Sequence, residues 1–334
     1  MPRLYVATNG LSVWTSNDLG QTLIRTGTGR GMYSGSQVWA LAPRAPATGE
    51  LLAGTNSGIY CLDRTGTRWT HLPSPMDDQQ LVTAIAVSPH NPDVILAGTQ
   101  PSALYRSDDG GKTWRNLNLP MKPYTNVGFE GAVTAETSQV KHWTRVTQIL
   151  FDPKDRNLAW AGVEIDSLWR STDGGERWER VTQGLENDDI HGLAVTHHGG
   201  RKLFATTYGG LHTSSDGGAS FTLQKVDSPW VYMRSIVERP DGTGVIFMTN
   251  GDGPPGSHGR LYRSRDNGAH WEDTRLPGEV ESSCYFLAVN ATDPNLIFAA
   301  ATLGQLYRST DGGETWTGIK RRLSEIRALA WLPD

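Results

Sequence analysis

The chain has 334 residues, of which 37% are hydrophobic and 20% are charged, so we expect a packed core and exclude a disordered chain. A formal net charge of −4 argues against nucleic acid as a partner, and no apolar run is long enough for a membrane helix. Two cysteines, Cys61 and Cys284, form neither a disulfide framework nor a metal-binding spacing. Because the first residues lack a signal-peptide pattern, we expect a cytoplasmic protein, and we predict neither a metal nor a cofactor.

Seven repeats follow one another along the chain, each marked by a glycine three residues before a recurring, mostly aromatic position. The glycines are about 45 residues apart, except for steps of about 64 and 50 residues that contain insertions. The distance from the last glycine to the first, across the chain ends, also amounts to about one repeat. The marker glycines are Gly20, Gly66, Gly111, Gly175, Gly218, Gly268 and Gly313.

Each repeat predicts four short strands. Three are apolar, as in "VTAIAVSP", "VILAGT" and "ALYRS" of one repeat, and the fourth starts at the recurring aromatic position. Four such strands with Gly and Pro between them are typical of a propeller blade. We therefore predict an all-β fold, a seven-bladed β-propeller that forms a single domain over residues 1–334.

The chain ends predict how the ring closes. Residues 326–334, "IRALAWLPD", have the pattern of a first strand with no successor. Residues 3–10, "RLYVATNG", have the pattern of a second strand with no predecessor. Pairing of the C-terminal strand with the N-terminal strands would complete one blade and leave no open sheet edge.

The turn before the fourth strand has nearly the same sequence in most repeats, as in "YRSDDGGKTW" and "YRSTDGGETW". Its aspartate can accept hydrogen bonds from the turn backbone, and the following glycines allow positive φ. Two early copies are degenerate, with Leu23 in place of the aromatic residue and Leu62 in place of the serine. The five well-kept aspartates are Asp109, Asp173, Asp216, Asp266 and Asp311.

This turn resembles the Asp box of bacterial neuraminidase repeat proteins. That superfamily includes sialidases, xyloglucan hydrolases, sortilin-type receptors and photosystem II stability/assembly factor-like proteins, and a single seven-bladed ring most resembles the last group. The resemblance implies that the box is structural and lies away from any active site. Sialidases have six blades and an early Phe-Arg-Ile-Pro-like motif, and this sequence lacks that motif.

Ligand sites in closed rings favour the mouths of the central channel, and the innermost strands show which residues would lie there. Aligned on their apolar pattern, these strands place one residue each just above an apolar layer: Trp39, Thr83, Thr147, His191, Arg234, Tyr285 and Arg327. Two residues further out are Gln37, Leu81, Arg145, Asp189, Tyr232, Ser283 and Glu325. The apolar layer itself consists of Leu41, Ile85, Ile149, Leu193, Ile236, Leu287 and Leu329.

Three of these residues, Arg145, Arg234 and Arg327, predict an anion site, because guanidinium groups match carboxylates and phosphates. The alternative is that each arginine forms an ion pair with a mouth carboxylate. Aromatic side chains predicted to contact a ligand are Trp39, Trp143 and Tyr232.

Catalysis at the same mouth would require proton-transfer groups or carboxylates. His191, Tyr232 and Tyr285 are candidates for proton transfer next to a sugar carboxylate. Asp189, Glu325 and Glu164 are candidate carboxylates for hydrolysis, and salt bridges to the arginines are the alternative role.

An insertion of about 20 residues within 118–143 enlarges the face that carries this mouth. Its side chains Tyr124, Phe129, Glu130, His142 and Trp143 could cover a ligand.

Two functions remain open at this point. The first is a propeller that binds a small, anionic, carbohydrate-like molecule at the mouth, and, if it is an enzyme, a glycoside hydrolase or β-elimination lyase. The second is a non-catalytic scaffold that holds a protein partner on one face, like the assembly factors that it resembles. Propellers serve both kinds of function, so the fold does not decide between them.

Overall fold

The structure is a computed structural model, and it describes residues 1–44, 49–128 and 139–333. Its regular elements are almost all β-strands, with one short 3-10 helix at Thr28–Arg30. The strands, in chain order, are β1 (Arg3–Thr8), β2 (Val13–Ser16), β3 (Ile24–Arg25), β4 (Val38–Pro43), β5 (Leu51–Thr55), β6 (Gly58–Leu62), β7 (Trp69–Leu72), β8 (Leu81–Val87), β9 (Ile95–Gln100), β10 (Leu104–Ser107), β11 (Arg115–Asn116), β12 (Tyr124–Gly128), β13 (Gln139–Trp143), β14 (Val146–Phe151), β15 (Ala159–Val163), β16 (Ser167–Ser171), β17 (Glu179–Val181), β18 (Ile190–Thr196), β19 (Lys202–Thr207), β20 (Gly210–Ser214), β21 (Thr222–Gln224), β22 (Tyr232–Glu238), β23 (Ile246–Gly251), β24 (Gly259–Ser264), β25 (Glu272–Asp273), β26 (Cys284–Ala288), β27 (Ile297–Ala301), β28 (Leu306–Ser309), β29 (Thr317–Ile319) and β30 (Ile326–Leu332).

Within the described ranges these strands form seven antiparallel, four-stranded sheets, which are the seven blades of a propeller. Each sheet follows chain order from the innermost strand outwards, except the blade that joins the chain ends. In that blade β30 lies inside β1, and Val6 pairs with Leu329 in antiparallel register. The predicted all-β propeller and its closure by the C-terminal strand are both confirmed. The inserted segment adds a two-stranded sheet of β12 and β13.

The core lies between neighbouring blades, because each sheet buries both faces. In the closing blade, Trp331 and Val6 pack in one cluster with Phe298 and Leu306 of the preceding blade. Large side chains such as Trp160 are fully buried in the same kind of contact elsewhere in the ring. The ring is therefore held together by apolar side chains that each blade shares with the next.

The Asp-box turns have one hydrogen-bond pattern. Ser107 donates its hydroxyl to Asp109 at 2.8 Å and accepts the backbone N–H of Gly111 at 2.8 Å. Asp109 also accepts the backbone N–H of Thr113 at 2.9 Å, and both glycines of the turn have positive φ. The degenerate copy at Asp18 keeps the serine contacts, because its hydrogen bonds do not need the missing aromatic residue.

Every box turn is also tied to the blade before it. A side-chain N–H of one blade donates to a backbone carbonyl in the box turn of the next blade, and this contact recurs at all seven junctions. The pairs are Arg3 with Thr65, Arg44 with Gly110, Arg106 with Gly174, Trp160 with Gly217, Lys202 with Asn267, Arg263 with Gly313, and Arg308 with Leu19. The repeated turn therefore serves the architecture: it shapes each blade and joins it to its neighbour.

Candidate functional site: the mouth of the central channel

The seven innermost strands carry a β-bulge at the same level of the ring. At each bulge one extra residue interrupts the pairing with the second strand, and such a residue is re-aimed relative to the regular ladder. In β22 the irregularity spans Arg234 and Ser235. The bulged residues are Trp39, Thr83, Thr147, His191, Arg234, Tyr285 and Arg327.

All seven bulged residues line one cavity of about 260 Å³ at the channel axis, which we call the mouth cavity. Five residues of the apolar layer also line it: Leu41, Ile85, Ile149, Leu287 and Leu329. The other two, Leu193 and Ile236, line a second cavity of about 410 Å³ instead. Gln148 and Val237 contribute to both cavities.

Gln148, which lines both cavities, was not singled out from the sequence. Its amide donates to the carbonyl of Leu193 at 3.0 Å and accepts the N–H of Leu193 at 2.8 Å. This pairing joins two innermost strands, β14 and β18, that share no ladder. Most of the other innermost strands have Ala or Gly directly after the bulged residue. The glutamine at position 148 was therefore the feature of the sequence that could have identified this contact.

Three of the bulged side chains bridge to the next blade in the same way. The hydroxyls of Thr83 and Thr147 donate at 2.7 Å to the carbonyls of Val146 and Ile190. Nδ1 of His191 lies 2.6 Å from the corresponding carbonyl, that of Met233. His191 therefore occupies a position that elsewhere in the ring is filled by a bridging threonine.

The second ring nitrogen of His191 is also engaged. Nε2 lies 3.2 Å from Oδ2 of Asp189, and the imidazole is almost fully buried. Burial and the charge of Arg234 lower the pKa of His191, although Asp189 acts in the opposite direction. Both nitrogens thus lie next to protein acceptors, and the neutral imidazole can donate to only one of them at a time.

Two of the three arginines form ion pairs at the mouth. Arg145 lies 3.1 Å from Glu164, and Arg327 contacts Glu325, which also accepts from Asn9 at 2.8 Å. Both guanidinium groups lie over the indole of Trp39, Arg327 at 3.9 Å and Arg145 at 5.2 Å from its centroid. Burial, together with Arg145 and Arg234, lowers the pKa of Arg327.

Arg234 differs from the other two arginines. Its side chain lines the mouth cavity, and only 9% of the residue is exposed. Among the described residues its guanidinium has neither an ion-pair nor a hydrogen-bond partner. Its guanidinium carbon lies 4.3 Å from the centroid of the Tyr285 ring and 5.7 Å from that of the Tyr232 ring. The hydroxyl oxygens of these two tyrosines are 2.9 Å apart.

Further donors at the mouth are unused. The indole N–H of Trp39 and the Nε–H of Arg327 are buried and have no hydrogen-bond partner in the part of the chain that the structure describes. A buried donor without a partner costs free energy, and donors of this kind also occur away from the mouth, as at Trp14 and Trp169.

Glu164 is fixed in its ionised form. Burial acts to raise its pKa, but Arg145, His142 and Arg234 together lower the pKa of Glu164 to about 2. The adjacent Ile165 has φ of 59°, a left-handed conformation that is costly for a β-branched residue. On the two sides of this strained residue, Glu164 faces Arg145, and Asp166 accepts the backbone N–H of Lys122 in the insertion at 3.0 Å. Asp166 also lies 3.0 Å from Arg180 of β17.

The remaining predicted residues lie around the cavity rather than in it. Each of four others contacts a residue that lines the cavity: Asp189, Glu325, Glu164 and Tyr232. Trp143 is 47% exposed on β13, where it packs edge to face against Tyr124 at 5.8 Å and does not line the mouth cavity. Ser283 turns away and donates to the carbonyl of Gly253. Phe129 and Glu130 lie outside the described residues.

No cluster of His, Cys, Asp and Glu that could hold a metal ion is present within the described ranges. The same part of the chain contains no helix long and apolar enough to cross a membrane.

The contact between His142 and Glu164 predicts a pH dependence. Nε2 of His142 lies 3.5 Å from Glu164, and this contact, against the effect of burial, raises the pKa of His142 above 6.5. The stabilisation of β13 by this pair is therefore complete below pH 6.5 and is lost as the pH rises through the folded pKa. We expect an NMR titration to give His142 a pKa above 6.5 that falls in Glu164→Gln. An unchanged His142 pKa in that variant would contradict the pairing.

Fold and box turns together define the class: the chain is a seven-bladed β-propeller built from BNR/Asp-box repeats. The BNR/Asp-box repeat family model matches residues 105–116 and 307–317. The sortilin/Vps10 family model, described as sortilin, neurotensin receptor 3, matches residues 166–302.

Two kinds of relative are similar in sequence. A xyloglucanase of Paenibacillus sp. is 30% identical over 283 residues, which cover 71% of this chain and 26% of the enzyme. The photosystem II assembly lipoprotein Ycf48 of Synechococcus sp. (strain CC9902) is 24% identical over 275 residues, covering 79% of this chain and 70% of that protein. The chain thus spans about a quarter of the length of the Paenibacillus xyloglucanase, but most of the length of Ycf48.

The same two groups appear among solved structures. The GH74 enzyme of Niastella koreensis superposes with a TM-score of 0.62 at 20% identity, covering 85% of this chain and 45% of the enzyme. YCF48 bound to D1 peptide gives a TM-score of 0.58 at 16% identity, covering 85% of this chain and 81% of the other. At these identities the likeness shows the fold alone.

Proposed function

We propose that this propeller binds a small, carboxylate-bearing, sugar-like molecule in the mouth cavity. Arg234 carries the proposal, because its buried guanidinium faces the cavity and forms neither an ion pair nor a hydrogen bond among the described residues. Glu164 and Asp189 act on Arg234 only at longer range, so its N–H donors remain available to an anion in the cavity.

The geometry favours binding over catalysis at this mouth. Both nitrogens of His191 contact protein acceptors, and Tyr285 pairs with Tyr232. A glycoside hydrolase needs a carboxyl group that stays protonated until it donates its proton, whereas Glu164, with a pKa of about 2, remains ionised. The similarity to xyloglucanases supports a carbohydrate as the ligand, and the chain spans only a minor part of those enzymes.

We expect galacturonic or glucuronic acid to raise the melting temperature of the protein and to bind in titration calorimetry, while xylose and galactose do not. Arg234→Gln should weaken this binding at least about tenfold, since a charge-assisted hydrogen bond is lost. Arg177→Gln removes an exposed charge from a box turn and serves as the matched control. Arg234→Gln also removes the cation–π contact with Tyr285, so the melting temperature of the free variant is measured in parallel to show that it folds. Equal binding by Arg234→Gln and the wild type would refute the proposal.

A second candidate is a scaffold that holds a peptide. Its support is the distribution of exposed apolar side chains. Six of the large hydrophobic residues exposed in the described ranges lie on the mouth face, meaning the face of the second-to-third turns and of the links between blades: Tyr33, Tyr124, Trp143, Tyr208, Val231 and Leu303. The similarity to Ycf48, which is solved with a D1 peptide, supports the same candidate.

Peptides of mixed sequence, with free or amidated carboxyl ends, separate the two candidates in fluorescence anisotropy. Submicromolar binding of a peptide, together with no response to any sugar acid, would favour the scaffold. Binding of sugar acids that depends on Arg234, without peptide binding, would favour the small ligand.

A further inference from the structure

A line of aromatic rings connects the outer surface of the mouth face with Arg234. Tyr208, in the turn between β19 and β20, is 51% exposed, and its ring meets that of Tyr232 edge to face at 5.5 Å. Tyr232 shares a hydroxyl hydrogen bond of 2.9 Å with Tyr285, and Arg234 lies over the Tyr285 ring at 4.3 Å. The first ring is at the surface, while the other two are buried.

The turn that carries Tyr208 does not depend on its side chain. The hydroxyl of Thr207 donates to the carbonyl of Gly210 at 3.1 Å and accepts the N–H of Gly209 at 3.0 Å. These two bonds of the Thr207 hydroxyl hold the turn without the Tyr208 side chain. The exposed face of Tyr208 therefore remains available on the mouth face.

The size of the mouth cavity limits what can enter it. At about 260 Å³ it lies just below the roughly 300–1,000 Å³ of pockets that enclose a drug-sized ligand. A ligand larger than one sugar unit must therefore extend from the cavity onto the mouth face, where Tyr208 lies at the outer end of the line of rings. The C–H face of a sugar ring suits an exposed tyrosine, because tyrosine offers a flat apolar surface with one polar edge.

We propose that the natural ligand is the end of an acidic oligosaccharide, a chain of uronic acid units. The carboxylate of the terminal unit contacts Arg234 inside the mouth cavity, and a following unit stacks on Tyr208 outside it. This inference rests on the proposed function of the mouth cavity and adds the polymeric nature of the ligand.

Titration calorimetry with the full chain tests the inference. The probes are galacturonic acid and its linear tetramer, with glucuronic acid and a hyaluronan tetrasaccharide as a second pair. In the wild type we expect the tetramer of at least one pair to bind about tenfold more tightly than its monomer, from the apolar area that the ring covers. Tyr208→Ala should abolish this ratio and leave monomer binding unchanged, whereas Tyr208→Phe keeps the ring and should preserve the ratio.

The outcomes separate the inference from the proposed function. If monomer binding depends on Arg234 but the tetramer binds no more tightly, the oligosaccharide inference is wrong and the anion site stands. The same holds if the tetramer binds more tightly but Tyr208→Ala leaves the ratio of the two affinities unchanged. Failure of every sugar to bind, or binding that Arg234→Gln does not weaken, would overturn the anion site itself. A tetrapeptide with a free carboxyl end is the last probe. If its binding depends on Tyr208 and sugar binding does not, the line of aromatic rings serves a peptide instead.

Discussion

A chain that ends at Glu325 is expected not to fold. The truncation removes β30, the innermost strand of the closing blade, and with it the buried side chains Ile326, Leu329, Trp331 and Leu332. Loss of one such side chain typically costs about 2–5 kcal/mol, so the four together, about 8–20 kcal/mol, match or exceed the roughly 5–15 kcal/mol of a domain's stability. The truncation also leaves β1 as an unpaired sheet edge, which favours aggregation. Circular dichroism and analytical ultracentrifugation would detect both effects.

Matched variants make this expectation specific to ring closure. A chain that ends at Leu332 retains all of β30 and should unfold at the wild-type temperature. Trp331→Ala keeps the strand but leaves a cavity next to Phe298 and Leu306, at an expected cost of about 3–5 kcal/mol. A Glu325 truncation that melts cooperatively near the wild-type temperature would contradict the role of β30.

Acid should unfold the protein over a narrow range between about pH 4 and pH 2, because the box aspartates act together. Burial acts to raise the pKa of Asp311, but hydrogen bonds from Thr315, Ser309 and Glu314 lower it to about 2, from 3.8. The pKa is likewise lowered in the other boxes, at Asp18, Asp109, Asp173, Asp216 and Asp266. Each carboxylate stabilises the fold above its unfolded pKa of about 3.8, and this stability is lost as the pH falls through the folded value.

Urea denaturation at several pH values measures this effect as proton uptake on unfolding, to which a box aspartate with a folded pKa of about 2 contributes about 0.8 proton near pH 3. Asp311→Asn keeps the shape of the side chain but cannot change its charge. It should be less stable than the wild type at pH 7, and the difference should shrink towards pH 2. A difference in unfolding free energy that stays constant from pH 7 to pH 2 would contradict this account of the box.

Much of the fold could be predicted from sequence, because the propeller repeats one local solution seven times. The glycines and aspartate of "YRSTDGGETW" specify their own turn, and the strand patterns on either side recur in the same order. Closure followed from two chain ends that each lacked a partner strand. The level of the bulged residues, from Trp39 to Arg327, also came from aligning these patterns, since the repeats share one register.

The contacts within the candidate site could be predicted from the sequence only in part. Sequence placed Arg145, Arg234 and Arg327 at one mouth but left open whether each formed an ion pair. The structure pairs Arg145 with Glu164 and Arg327 with Glu325, and it leaves Arg234 on two tyrosine rings. Glu164 lies in a turn between a second and third strand, and its proximity to Arg145 depends on how the strands of that blade are arranged.

The sequence by itself therefore determined the repeat, the number of blades, the closure of the ring and the level at which polar side chains meet the channel. These properties depend on short stretches of chain, whose strand periods and turn residues act locally. Only the tertiary structure decided which charges neutralise one another, that Trp143 lies away from the mouth cavity, and that Tyr208 extends a line of rings towards Arg234. Such contacts join segments from different blades, and their distances depend on how the blades pack, which no single repeat encodes.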